Sequence, residues 1–294
     1  MAGRFGAVVT AMVTPFKDDG SVDLPRAQEL VRWLLGHGSD ALVITGSTGE
    51  GATLSDTEKI DLYRAAVEAA EGRGTIIAGT GTYDTAHSAH LSREAEKAGV
   101  DALLVVSPYY NKPPQRGLVA HFTTVAEAVG LPVMLYNIPG RTGVRIEHDT
   151  LLRLAETPNI VAVKDSTGDL DGASRLVAAA PSGFEVYCGD DWATLAFCCV
   201  GAVGVVSVAA HLAGEQIHDL VEMALAGDVG GARKIHEQLL PLWSALFVTS
   251  NPIPLKAAMG LIGQPVGTPR LPLVPATDDE VAVVRKAMED AGVL

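Results

Sequence analysis

Apolar residues along the chain fall into two alternating patterns. Eight short, nearly unbroken apolar runs, Ala7–Val13, Ala41–Ile44, Thr75–Ala78, Ala102–Val106, Val133–Tyr136, Ile160–Val163, Phe184–Cys188 and Val203–Val206, are rich in Val, Ile or Leu and bounded by Gly, Pro or Asp. Runs of this length without polar alternation predict strands buried on both faces, as in a parallel sheet. Between them lie longer amphipathic stretches, among them Leu24–Leu35, Asp56–Ala70, Thr85–Ala98 and Gln115–Val129. Ser55, ahead of Asp56 and Glu58, and Asp169 stand where helix N-caps belong. Eight strand–helix units predict an α/β protein. A closed (β/α)8 TIM barrel fits better than a doubly wound sheet, because the first strand runs into Thr14-Pro15-Phe16 and not into a GxGxxG turn. After about Ala226 the pattern is purely helical, over Val229–Val248, Pro254–Leu261 and Asp278–Gly292, with a proline-containing loop at Gln264–Pro275. The expected organisation is a barrel over residues 1–226 and a C-terminal helical extension over 227–294.

Composition narrows the function classes. The 294 residues suffice for one barrel with a short extension. A net charge of −13 repels phosphate backbones and anionic lipid, so neither nucleic acid nor a membrane is an expected partner. The run Val203–Leu212 is too short to span a bilayer and contains His211. Cys188, Cys198 and Cys199 form no CxxC pair and read as reduced core thiols. The segment Met1-Ala-Gly-Arg-Phe has no basic region followed by an apolar stretch, so a cytoplasmic location is expected.

In such a barrel the chemistry sits at the C-terminal ends of the strands. The sixth run ends Val163-Lys164-Asp165, a lysine in an apolar strand, whereas Lys59, Lys97, Lys234 and Lys286 lie in helical patterns where a solvated face is the natural reading. Burying an ammonium ion costs several kcal/mol or favours the neutral amine, and a neutral amine is the nucleophile that Schiff-base chemistry needs. The plain alternative is a lysine paired with Asp165. The fifth run ends at Tyr136 on the neighbouring strand, where a phenol could shuttle protons or simply pack. The second runs into Thr45-Gly46-Ser47-Thr48-Gly49-Glu50, whose amides and hydroxyls could cradle a carboxylate or form only a turn. Other chemistries lack their parts: there is no HExxH, no close histidine pair and no G-x-S-x-G elbow, so no metal is expected.

Together these residues, with Ser107-Pro108-Tyr109-Tyr110-Asn111-Lys112-Pro113, Tyr136-Asn137-Ile138-Pro139-Gly140-Arg141-Thr142-Gly143 and Asn251-Pro252-Ile253-Pro254, resemble the dihydrodipicolinate synthase / N-acetylneuraminate lyase family along essentially the whole chain. The resemblance implies that Lys164 forms an imine with pyruvate and that Tyr136, Ser47 and Tyr110 make a proton relay, Tyr110 reaching in from a neighbouring subunit. It implies that Thr48, with the Ser47 amide, holds the pyruvate carboxylate, and that Gly189 and Val206 line the pocket. Synthases of the family more often carry threonine where Ser47 stands; serine keeps the hydroxyl. Arg141 implies the synthase branch of lysine and diaminopimelate biosynthesis, with L-aspartate 4-semialdehyde as second substrate, since a guanidinium grips a carboxylate bidentately. The alternative is another class I pyruvate aldolase or lyase of the family acting on sugar keto acids. Neither needs a cofactor. A homotetramer built from two dimers is also implied. In lysine-inhibited members the regulatory site corresponds to Gly51, Ala52, Asp56, Lys59, Tyr83, His87 and Tyr109. Here it lacks the usual glutamate, replaced by His87, and gains the charge of Lys59, so weak or absent inhibition is expected.

Overall fold

The structure, a computed structural model, describes residues 2–294. Eight parallel strands, β1 (Val8–Ala11), β2 (Ala41–Ile44), β3 (Thr75–Gly79), β4 (Ala102–Val106), β5 (Val133–Asn137), β6 (Ile160–Asp165), β7 (Glu185–Cys188) and β8 (Gly204–Ser207), close into a barrel in sequence order. The register of β8 on β1 (Val206 opposite Val9) completes the ring. Apolar side chains divide into two separate clusters. One fills the barrel interior and includes Val9, Val43, Ile77, Leu104, Met134 and Val206. The other packs the outer strand faces, such as Leu42, Val105 and Val163, against the helices. Strands with both faces apolar are what the unbroken runs required.

Alternation along a strand then decides where each side chain points. Ala162 belongs to the interior and Val163 to the sheath, so Lys164 turns inward and Asp165 outward. The N-terminal end is closed by Phe5, whose amide donates to the Tyr187 hydroxyl (2.9 Å) and whose ring lies 6.0 Å from that of Tyr187. The C-terminal end is left as the open one.

The helices are α1 (Leu24–Leu35), α2 (Asp56–Ala70), α3 (Thr85–Ala98), α4 (Gln115–Glu127), the short α5 (Pro139–Thr142), α6 (His148–Ala155), α7 (Leu170–Ala179), α8 (Thr194–Cys199) and α9 (Ala210–Leu225), followed by α10 (Val229–Ala245), α11 (Ile253–Leu261) and α12 (Asp278–Ala291). Ser55 and Glu58 form a reciprocal capping box on α2, and Asp169 caps α7 by accepting from the Gly172 amide. Two expected helices end early, α4 at Glu127 and α10 at Ala245. The expectation for the cysteines holds for Cys188 and Cys198, which are buried, and fails for Cys199, which is exposed on the last turn of α8. Among the described residues no helix is long and apolar enough to cross a membrane.

Candidate active site

Lys164 and Tyr136 are register partners on β6 and β5. Both are buried inside the barrel, Lys164 with 5% of its surface exposed. The Lys164 Nζ stands 4.2 Å from the centre of the Tyr136 ring, within cation–π range. Pairing with Asp165 does not occur: Asp165 faces away, and its Oδ1 accepts from the Thr167 amide (2.8 Å). Other carboxyls approach from the end of β7. Burial raises Asp190, against the lowering pull of the Lys164 charge. Asp191, fully enclosed and likewise raised by burial, accepts from the Ser207 hydroxyl and from the amides of Val208 and Ala209. Just ahead of them, at the end of β7, Gly189 brings the backbone close to the lysine. A Cβ there would lie 2.0 Å from Ser166 Oγ and 3.1 Å from Lys164 Cε, so a larger residue would have to displace the Ser166 hydroxyl and would crowd the amine's stem. Val206 is buried in the interior cluster.

The loop after β2 crosses the open end. Thr45 leaves the strand at φ +60°, a conformation that costs a β-branched residue about 1–3 kcal/mol. It is held there by its hydroxyl, 3.0 Å from both Tyr63 Oη and the Gly79 carbonyl, while Tyr63 Oη also donates to that carbonyl. Close packing adds to this, since a Cβ on Gly51 would lie 2.1 Å from the Thr45 carbonyl oxygen. Ser47 is exposed at the rim and Thr48 is buried. The Thr48 hydroxyl accepts from Asn251 Nδ2 (2.9 Å), a residue just before α11. Glu50, at φ +54°, forms a buried ion pair with Lys256 of α11. The pair is 2.7 Å apart, though not aligned as a hydrogen bond. Glu50 also accepts from the Arg270 amide (2.9 Å).

A cavity of about 350 Å³ opens above this floor. Ser47, Tyr136 and Arg141 line it, together with Gly51, Asp56, Lys59, Tyr83, His87 and Tyr109. Arg141, on α5, is exposed and has no ion-pair partner among the described residues. Of the residues expected in the site, Ser47, Tyr136 and Arg141 share the cavity wall, Lys164 sits against Tyr136, and Gly189 sits against Lys164. Thr48 lies one residue beyond the wall. Tyr110 stands apart, 92% exposed at φ +69°, while Tyr109 turns inward and meets Tyr83 edge-on at 5.5 Å.

The expectation that Lys59 is solvated is corrected: only 7% of it is exposed, and burial lowers its pKa against the opposing charge of Asp56. Lys97, Lys234 and Lys286 are exposed as expected. Three roles went unseen in the sequence: Thr45 as the anchor of its loop, Asn251 as the partner of Thr48, and Lys256 as the partner of Glu50. Lys256 had the same signal as Lys164, a lone charge in an apolar stretch, Ile253-Pro254-Leu255-Lys256-Ala257-Ala258-Met259.

Comparison with known proteins adds independent findings. The sequence pattern of the dihydrodipicolinate synthetase family matches residues 4–291. The chain is 50% identical over 291 residues to the 4-hydroxy-tetrahydrodipicolinate synthase of Moorella thermoacetica, covering 99% of this chain and 100% of that one. It superposes with a TM-score of 0.98 on the lysine-bound dihydrodipicolinate synthase of Cyanidioschyzon merolae (44% identity, 99% and 100% coverage). With the chloride-inhibited, pyruvate-complexed enzyme of Acinetobacter baumannii the TM-score is 0.96 (40% identity, 99% and 100% coverage).

Proposed function

The chain belongs to the dihydrodipicolinate synthetase family, and we propose that it condenses pyruvate with L-aspartate 4-semialdehyde to 4-hydroxy-tetrahydrodipicolinate, a step of diaminopimelate and lysine biosynthesis. One observation carries the chemistry: an amine enclosed in the barrel, with no carboxylate at ion-pair distance among the described residues, lies against the ring of Tyr136.

In this reading the Lys164 amine adds to the pyruvate carbonyl, and loss of water gives an imine. The cationic imine draws electrons from the methyl carbon, which loses a proton and becomes an enamine. The enamine attacks the semialdehyde carbonyl. The substrate's own amine then displaces Lys164 and closes the six-membered ring. Tyr136 moves protons to and from the imine and the incoming aldehyde, relayed through Ser47 and Tyr110. Thr48, with the Ser47 amide, holds the pyruvate carboxylate, and Arg141 grips that of the semialdehyde. Gly189 and Val206 shape the space around the imine. The imine is itself the electron sink, so the steps call for no metal or organic cofactor.

The exposure of Tyr110 supports an assembly in which a second copy supplies it; a tetramer of two dimers, working in the cytoplasm, completes the reading. The division into a barrel over 1–226 and an extension over 227–294 is proposed as structural only, since Asn251 and Lys256 both reach the barrel's loop.

Borohydride reduction in the presence of pyruvate tests this, followed by mass mapping. The expected result is one reduced pyruvate adduct, on Lys164, lost in Lys164→Ala. An adduct on Lys59 or Lys256, or none, would overturn it.

A further inference from the structure

The segment Asn251-Pro252-Ile253-Pro254 has no part in the chemistry above, yet its first side chain ends on the proposed pyruvate site. Asn251 is buried, and its Nδ2 donates to Thr48 Oγ1 at 2.9 Å across 203 residues of sequence. That is the one protein hydrogen bond of the Thr48 side chain among the described residues, and the other end of the amide, Oδ1, is enclosed without a partner.

A hydroxyl has one hydrogen to give and two lone pairs to offer. With one lone pair taken by Asn251, the Thr48 hydrogen is left to swing toward a bound anion. The opposite amide orientation would put Oδ1 against Thr48 and draw that hydrogen away. We propose that Asn251 is a positioning residue: by donating to Thr48 it fixes that hydroxyl as a hydrogen-bond donor to the carboxylate of the keto acid. This deepens the proposed function and rests on Thr48 being the carboxylate contact.

The geometry gives the device a reason. Thr48 sits in a glycine-flanked loop whose conformation is held at Thr45 and Glu50, both at positive φ. The Glu50 end is anchored by Lys256, five residues after Asn251 on the same C-terminal segment. One stretch of chain outside the strand–helix repeat thus sets both the loop's position and the direction of its hydroxyl.

The carboxylate is not the reacting group, so loss of its contact should appear as uniform binding: the Michaelis constant for the keto acid rises while kcat holds. Asn251→Asp keeps the shape and replaces the donor by an acceptor, so the Thr48 hydrogen turns to the new carboxylate and a negative charge faces the substrate. The expected result is a rise in pyruvate KM of about tenfold or more, with kcat within about threefold and the semialdehyde KM within about twofold. Asn251→Ala should raise pyruvate KM by less. The decisive comparison is Asn251→Ala in a Thr48→Val background, where there is no hydroxyl left to orient and the second substitution should change pyruvate KM no further. Thermal unfolding checks that each variant is folded. An unchanged pyruvate KM in Asn251→Asp, or equal effects of Asn251→Ala with and without the Thr48 hydroxyl, would overturn the inference while leaving the imine chemistry standing. Failure of the wild-type enzyme to form any pyruvate adduct would sink both.

Discussion

Arg141 stands on the cavity wall, its guanidinium without an ion-pair partner among the described residues, on a four-residue helix immediately after the strand that carries Tyr136. A charge-assisted hydrogen bond contributes about 1.5–3 kcal/mol, so Arg141→Ala should raise the Michaelis constant for L-aspartate 4-semialdehyde by about 10- to 100-fold. Pyruvate, held deeper, should keep its value; parallel loss for both substrates in steady-state kinetics would assign Arg141 to the fold instead. Lys59 and the Asp56–His87 contact (2.9 Å) line the same cavity, at positions where the family resemblance implies the regulatory site of lysine-inhibited members. A free lysine there would bring its ammonium up to that of Lys59, with Asp56 already engaged by His87. We expect L-lysine to inhibit weakly or not at all, and strong inhibition at sub-millimolar lysine would contradict this. At this scale the sequence shows a residue when its chemistry clashes with its neighbours. Lys164 is legible because a charge interrupts an apolar strand. Asn251 is not, because a polar residue in a polar loop is unremarkable until its partner 203 positions away is known. Lys59 hides in an amphipathic helix whose polar face turns out to line a cavity.

All eight strands were legible to within two residues at each end, since a strand buried on both faces is mostly apolar; the misses lie at the ends, where β6 carries Lys164 and Asp165 beyond its apolar run and β1 stops at Ala11. Helix ends were less so. The apolar rhythm of α4 continues through Val129, which packs on the core after the helix has ended at Glu127; periodicity records burial, and burial outlasts hydrogen bonding. The link from β1 to the loop after β8 had no sequence signal at all. There His211 accepts from the Val13 amide through Nε2 (3.2 Å) and donates through Nδ1 to the Val208 carbonyl (2.9 Å), so the ring is neutral with the proton on Nδ1. Burial pulls its pKa from 6.5 down to about 4. Between those values the unfolded chain binds the proton and the folded chain does not. The stabilisation is therefore complete above pH 6.5 and is lost as pH falls toward 4, by about 2 kcal/mol at pH 5. His121, lowered to about 4 for the same reason, adds to the slope. The enclosed acids Asp165, Asp190 and Asp191, raised by burial, act in the opposite direction as pH falls. The quantity to measure is thus a difference: denaturation midpoints at pH 7 and pH 5 should fall less in His211→Gln than in the wild type. Equal slopes would mean that His211 does not titrate with folding.

For the whole molecule, one residue is out of place. Tyr110 belongs to the proposed relay, yet it projects from the surface at φ +69°, 92% exposed, while its neighbour Tyr109 points into the cavity. A bare tyrosine held in a strained conformation is accounted for if a second copy of the chain covers it and receives it, making each active site composite. The arrangement can be tested without measuring mass. Lys164→Ala subunits have no nucleophile but carry an intact Tyr110; Tyr110→Phe subunits have the nucleophile but lend a defective relay. Each variant alone should be nearly inactive. In a dimer of one of each, the site containing Lys164 receives Tyr110 from its partner and is complete, while the other site lacks both. Random exchange makes half of the dimers mixed, with one working site in two, so activity should recover to about a quarter of the wild-type value. If each chain instead used its own Tyr110, no mixture could restore activity, because every site would still lack either the amine or the phenol. Recovery that tracks subunit exchange would establish that the proton relay crosses the interface; mixing without recovery would place the relay within one chain, and Tyr110→Phe subunits active on their own would return Tyr110 to the surface and leave the relay to Tyr136 and Ser47.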